Sequence, residues 1–172
     1  MTAQRIALFT TAAVATLALT ATLLRRERRV ARSVDIAAPP AQVWATLTDF
    51  AAYPSWNPFI RRLEGTARPG ARLTVEIHPS GGRAMTFTPT VLAAEPGREL
   101  RWLGRVVVPG VLDGEHAFIL EPIPGGTRLT QSETFSGVLV PLVGSAIDVG
   151  DDFEAMNAAL RDRAEAAASI AR

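Results

Sequence analysis

Two histidines, seventeen carboxylates and no cysteine define the chemistry open to this 172-residue chain. Without a thiol there is no cysteine nucleophile, no thiolate-held zinc and no disulfide framework. His116 has the most informative surroundings. The alternating runs 115–122 and 127–136 flank Pro124-Gly125-Gly126, which reads as a hairpin turn. With Ile123 to Gly126 as a four-residue loop, Pro122 opposes Thr127, Leu120 opposes Leu129, Phe118 opposes Gln131 and His116 opposes Glu133. Side chains alternate with period 2, so these residues share one face, and their apolar members together with Phe135 mark it as the inner one. His116 and Glu133 then meet inside the protein, unless a one-residue bulge turns Glu133 outward.

Two chemistries fit that pair. A glutamate that orients an imidazole makes a general acid or base suited to cyclisation, dehydration or proton abstraction beside a carbonyl. Alternatively, it is a satisfied polar pair in a ligand pocket, since an unpaired buried polar group costs about 1–3 kcal/mol. Gln131 lies on the same face and can bind a ligand carbonyl or hydroxyl in either case. His78, at the end of the 71–78 run, falls on the opposite face towards solvent. Two histidines on different faces with one carboxylate make no metal site, and no metal or other cofactor is expected. Ser80-Gly81-Gly82-Arg83 and Gly125-Gly126 read as hairpin turns rather than phosphate loops, because neither precedes a helix. No serine-nucleophile motif is present.

The elements that position these residues follow from periodicity. Val30, Val34 and Ile36 alternate as a first strand that Pro39-Pro40 ends. Val43, Trp44 and Leu47 recur at helical spacing, and a second short helical turn runs through Tyr53-Pro54. Six strands are expected at 60–66, 71–78, 84–94, 99–107, 115–122 and 127–136, joined as antiparallel hairpins by Gly/Pro turns. Asp151 as N-cap with Glu154 as its capping-box partner opens a long amphipathic helix carrying Phe153, Met156, Asn157, Leu160 and Ala164 on one face. Its helical character begins near Leu139, with Gly144 and Gly150 as weak points. An α+β domain of about seven antiparallel strands, two short helices after the first strand and one long C-terminal helix seals its apolar sheet face with that helix.

The net charge of +1 conceals an asymmetry. Residues 25–32 hold five Arg against Glu27, whereas residues 33–172 hold twelve Arg against sixteen acids. The domain is mildly acidic, so nucleic acid is not an expected partner. From Ile6 to Leu24 there are nineteen uncharged residues, enough for a helix of about 28 Å that crosses a bilayer, although its threonines and alanines make the span weak. A cleaved export signal is one reading, but Ala13-Val14-Ala15 stands too early in the apolar stretch and Arg25 to Arg29 opposes export. A surface-lying or merely appended helix is another. The positive-inside rule favours the third, an apolar membrane anchor over residues 1–28, including its basic flank, with the domain of residues 29–172 in the cytoplasm.

Val34-Asp35-Ile36-Ala37-Ala38-Pro39-Pro40-Ala41-Gln42-Val43-Trp44, Tyr53-Pro54-Ser55-Trp56-Asn57-Pro58-Phe59 and Gly126-Thr127-Arg128-Leu129, in that order, resemble the SRPBCC superfamily. These START-like, helix-grip proteins include the polyketide cyclase/dehydrase and lipid-transport family. The resemblance spans about residues 30–168 and implies a sheet wrapped around the C-terminal helix with a cavity between them. It places Trp56 and Asn57 at the cavity mouth. The other expected lining residues are Met85, Phe87, Trp102, His116, Phe118, Gln131, Glu133, Phe135, Phe153 and Met156, where Met and Phe form adaptable apolar walls or simply fill the core. The superfamily includes lipid carriers, hormone receptors, aromatic cyclases, chaperone activators and parts of ring hydroxylases, and fold alone does not choose among them. The iron-ligand constellation of the hydroxylases is absent. The leading expectation is binding or transport of an apolar small molecule or lipid at a membrane. The alternative is a polyketide cyclase/dehydratase-like enzyme using His116 and Glu133. A protein-binding role of the chaperone-activator kind would need an exposed apolar patch and a filled core instead.

Overall fold

The computed structural model describes residues 26–106 and 108–170. The expected anchor helix over residues 6–24 lies outside the described residues, and among the latter no helix is long and apolar enough to cross a membrane. Strand β1 (Arg26–Ile36) opens within the basic run. Its even-numbered residues face inward, with Val30 and Ile36 buried, while Arg29, Ser33 and Asp35 are exposed. On the outer face Arg128 donates two bonds to Asp35 at 2.7 and 2.8 Å, which holds that carboxyl below its usual range.

Pro40 starts α1 (Pro40–Thr48), where a missing N–H costs nothing, and the Pro39 carbonyl accepts from both Gln42 and Val43. A single 3₁₀ turn (Phe50–Ala52) and α2 (Tyr53–Trp56) follow. The strands are β2 (Ile60–Glu64), β3 (Thr74–Ile77), β4 (Met85–Phe87), β5 (Thr90–Glu95), β6 (Glu99–Val106), β7 (Leu112–Ile123) and β8 (Gly126–Gly137). The run 84–94, expected as one strand, is two. Pro89 has no N–H for a ladder, and the chain changes sheets there. Among the described residues eight strands thus form two antiparallel sheets in the orders β1-β8-β7-β6-β5 and β2-β3-β4, linked by an Arg72–Thr90 bridge.

The β7–β8 hairpin turns on Pro124-Gly125 alone, because Ile123 pairs with Gly126. The expected four-residue loop is therefore two residues long, with Gly125 at φ +84°. One extra pair at the hairpin tip leaves the register unchanged, and His116 opposes Glu133.

After β8 come α3 (Val140–Val143), a 3₁₀ turn (Gly144–Ile147) and α4 (Gly150–Ile170), with the break at Gly144 where φ is +51°. Helix α4 starts one residue before the expected cap. Phe153 donates to the Val149 carbonyl, so Asp151 and Asp152 occupy the first turn, where carboxylates suit the helix dipole. Glu154 closes no capping box. It accepts from Arg32 of β1 at 2.5 Å. Phe153, Met156, Asn157, Leu160 and Ala164 are buried on one face of α4. This stripe, the inner face of the larger sheet and Val43 and Leu47 of α1 form one core.

Candidate functional site

The middle of the larger sheet sets Trp102 of β6, His116 of β7 and Glu133 of β8 side by side on the inner face, with Val30 of β1 completing the row. His116 Nδ1 lies 2.5 Å from Glu133 Oε2, and its Nε2 lies 3.1 Å from Gln131 Nε2. A carboxylate accepts, so Nδ1–H donates to Glu133 and Nε2 accepts the Gln131 amide N–H. The imidazole stacks on Trp102 with centroids 4.8 Å apart at 12°, and it contacts Phe118 and the edge of Phe153 at 4.7 and 5.2 Å. His116 is 5% exposed, whereas the Glu133 side chain is 14% exposed, so the carboxylate links the buried ring to solvent.

Gln131 is fully buried. Its amide nitrogen also approaches Met156 Sδ at 3.5 Å, while its Oε1 has no partner among the described residues. An orphaned buried acceptor is rare and marks a place where a donor is needed. Asn157 Oδ1, Asn57 Nδ2 and Trp56 Nε1 are buried without a partner among the described residues as well.

One row further along the sheet, Gly104 opposes Gly114, and Gly114 opposes Phe135. A Cβ on Gly114 would sit 2.5 Å from Glu133 Oε1, and one on Gly104 would sit 3.6 Å from the Phe87 ring. Two adjacent glycines thus leave a floor without side chains, walled by Phe87, Phe135 and Glu133. Sequence reading missed this pair. The available signal was glycine at two mid-strand positions where alternation calls for an inward side chain.

The structure gathers Trp102, His116, Phe118, Gln131, Glu133, Phe153 and Met156 around one centre, with Phe87 and Phe135 at its glycine edge. It does not bring Met85 there, since that side chain is 50% exposed at the end of the smaller sheet. Asn57 acts locally, because its Oδ1 accepts from the Phe59 and Ile60 amides at 2.9 and 2.8 Å and turns the chain into β2. Trp56 packs against Tyr53 at 4.9 Å. His78 lies at the surface beside Glu76, 2.7 Å away. Among the described residues no group of three His, Asp or Glu side chains is placed to hold a metal.

In the space expected for the cavity between sheet and helix, Phe153 and Met156 of α4 pack against His116 and Gln131. Two open hollows, of about 520 and 540 Å³, lie elsewhere: one is lined by Trp44, Phe50, Thr66 and Pro96, the other by Gln42, Asp49, Arg163 and Ile170. The loop between β3 and β4 closes over the start of α4, where the Ser80 amide donates to the buried Asp152 carboxylate at 2.9 Å.

A family model described as polyketide cyclase/dehydrase and lipid transport matches residues 27–165. No curated protein matches the sequence. Among solved structures, a START superfamily protein from Mycobacterium smegmatis is 23% identical at a TM-score of 0.63, covering 81% of this chain and 98% of that one. The structure of Ara h 8.0201 is 17% identical at 0.60, covering 81% and 98%. The di-domain ARO/CYC StfQ of the steffimycin biosynthetic pathway is 14% identical at 0.67, covering 83% of this chain. This chain spans about half the length of the di-domain ARO/CYC proteins StfQ and BexL, 52% and 50% respectively. At these identities the shared property is the fold.

Proposed function

Because the chain belongs to the polyketide cyclase/dehydrase and lipid transport family, we propose that its helix-grip domain binds an apolar small molecule or lipid between the larger sheet and α4, at a membrane. The observation that carries this reading is the orphaned Gln131 Oε1, on a buried side chain beside Phe118, Met156 and the His116 ring, which itself stacks on Trp102 and meets Phe153. A ligand hydroxyl or amide N–H donating to that oxygen offsets an unsatisfied-acceptor cost of about 1–3 kcal/mol. The surrounding rings favour a molecule that is otherwise apolar. Admission requires the inner side chains to part. The glycine floor beside Phe87 and Phe135 offers the least side-chain obstruction, and release of the Ser80–Asp152 contact frees the loop above α4. The membrane placement draws on the uncharged residues 6–24 and the arginines after them, which put the domain on the cytoplasmic side.

Native mass spectrometry of the full chain, extracted from membranes in mild detergent, tests the binding reading when paired with organic extraction of whatever co-purifies. The expected result is an apolar molecule released only on unfolding. A chain that carries nothing, and whose melting temperature no added phospholipid, fatty acid or aromatic compound raises, overturns it.

The 2.5 Å contact of His116 with Glu133 favours a second reading, in which the imidazole moves a proton on a bound polyketide-like substrate. In that case a reacting atom must displace Gln131 from Nε2. His116→Ala would then abolish turnover while ligand affinity is largely kept.

A further inference from the structure

We propose that the end of the domain at which β1 begins is seated on a lipid bilayer, with Leu142, Val108 and Met85 as the apolar tips that enter it. The inference rests on the membrane reading above and adds an orientation and a contact surface to it. The three side chains are 79%, 52% and 50% exposed and come from α3, the loop after β6 and the start of β4. The other two large exposed hydrophobic residues among those described, Leu92 and Ile170, lie mid-strand on β5 and at the far end of α4.

Backbone contacts bring the tips to one end. Arg26 pairs with Gly137, and the next two amides, of Val138 and Leu139, donate to Gly110 and Val111 at 3.1 and 3.0 Å. This joins α3 to the loop that carries Val108. The Arg28 guanidinium, in turn, bonds the Gly144 carbonyl at 2.7 Å and Asp148 at 3.1 Å, which ties the segment after α3 to the start of β1. Phe87 lies over Gly104, and Met85 is two residues before it on β4, where the β3–β4 loop ends whose Ser80 amide bonds Asp152 in the first turn of α4.

The chain outside the described structure supplies the occupant. The uncharged stretch closes at Leu24, two residues before β1 starts. Two extended residues reach about 7 Å, so a membrane-embedded stretch holds the Arg26 end of the sheet at the headgroups. The opposite end, near Gly125, is then about 35 Å further away, along eleven residues of strand. Arg29, exposed on β1, and Arg83, two residues before Met85, set positive charge around the apolar tips, as suits a phosphate-bearing surface. The Gly104–Gly114 floor is on this side of His116, so a ligand leaving the bilayer meets it first.

The absence of cysteine from the whole chain makes the test direct, because a single introduced cysteine carries a unique label. Full-length L142C, V108C and M85C, with E121C near the opposite end as control, are labelled with an environment-sensitive fluorophore. They are then reconstituted in vesicles of phosphatidylcholine with a minor share of phosphatidylglycerol. The expected result is emission about twofold or more stronger at 142, 108 and 85 than at 121, and quenched by doxyl-labelled lipid only at those three positions. Chains that float with vesicles and resist carbonate, but whose labels all report water, overturn the seating and leave the anchor standing; a protein partner then becomes the better occupant for the three tips. Chains stripped by carbonate, yet quenched at the three tips beforehand, support the seating and overturn a spanning segment. Equal quenching at 121 overturns the orientation. Chains that never float overturn both the seating and the membrane reading.

Discussion

The imidazole of His116 and the carboxylate of Glu133 meet across a single rung of the β7–β8 ladder, Nδ1 to Oε2 at 2.5 Å, though they are seventeen positions apart in the chain. A two-residue turn and two strands of strict alternation are sufficient to join them. Trp102 on the next strand completes the arrangement by stacking on the ring. The pair is thus held by three strands at once, and changes at it reach both stability and binding.

His116→Ala removes the charge-assisted bond and the ring contacts with Trp102, Phe118 and Phe153, and leaves Glu133 without its partner. The expected loss is about 3 kcal/mol, against about 1–2 kcal/mol for Glu133→Gln, which retains the shape and one acceptor. Urea midpoints check this. On the binding reading, both variants still co-purify with an apolar molecule; equal midpoints for wild type and His116→Ala would remove the structural role assigned to the pair.

Gly114→Ala and Gly126→Ala separate two kinds of glycine. The new methyl at position 114 makes ordinary contact with Phe135 and clashes only with the carboxylate tip of Glu133, which swings aside and breaks its bond to His116, for an expected cost of about 1–2 kcal/mol. At 126 it collides with the Ile36 carbonyl, part of the backbone, and the expected cost is about 3 kcal/mol or more. Thermal melts that rank these variants the other way would show that Glu133 is not free to move.

Asp152→Ala removes the acceptor for the Ser80 amide. The expected result is a stability loss of about 1–2 kcal/mol and amide exchange at Ser80 faster by about tenfold. Hydrogen exchange read by mass spectrometry on peptides spanning 79–84 checks it. Unchanged exchange would mean that the loop is held by other contacts and is not the closure proposed for ligand entry.

Tyr53 is the one tyrosine in a chain with no lysine and no cysteine, so its phenol dominates titration near pH 10. It is fully buried, donates to the Leu47 carbonyl at 2.7 Å, and is held far above its usual range by burial and then by the charge of Asp49. The folded state keeps the phenol neutral, while the unfolded chain ionises it from about pH 10 upward. Below that pH the contribution to stability is fully present; above it stability falls by about 1.4 kcal/mol per pH unit, until the folded phenol itself ionises. Tyr53→Phe is expected to flatten that alkaline limb and to lower stability at neutral pH by about 1 kcal/mol through the lost bond. An equally steep limb in the variant would assign the alkaline loss to some other group.

The local sequence by itself determined the elements and the central pairing. Pro39-Pro40 stops a strand and starts a helix because proline lacks the N–H a ladder needs and a helix's first turn does not. The β7–β8 register was legible because period-2 alternation on both sides of a Gly/Pro turn leaves one pairing that keeps Leu120, Leu129, Phe118 and Gln131 on the buried face. The same pattern was ambiguous at 84–94, where alternation continues through Pro89 although the two halves join different sheets. The length of the hairpin loop was uncertain by one pair, and the start of α4 by two residues, because neighbouring turn and cap residues compete on nearly equal terms.

Depth, volume and long-range partners were decided only in the folded chain. Periodicity says which face is inward, but it does not say whether the space before that face is open or filled. Here Phe153 and Met156, brought from α4, pack directly against His116 and Gln131. Glu154 fits a capping box in sequence, yet it bonds Arg32 because β1 lies against α4. Gly104 and Gly114 became a floor only when β6 and β7 set them side by side. Each of these contacts joins separate elements, and its energy depends on distances that no short stretch of sequence contains. The elements are therefore written locally, and the site is a property of their packing.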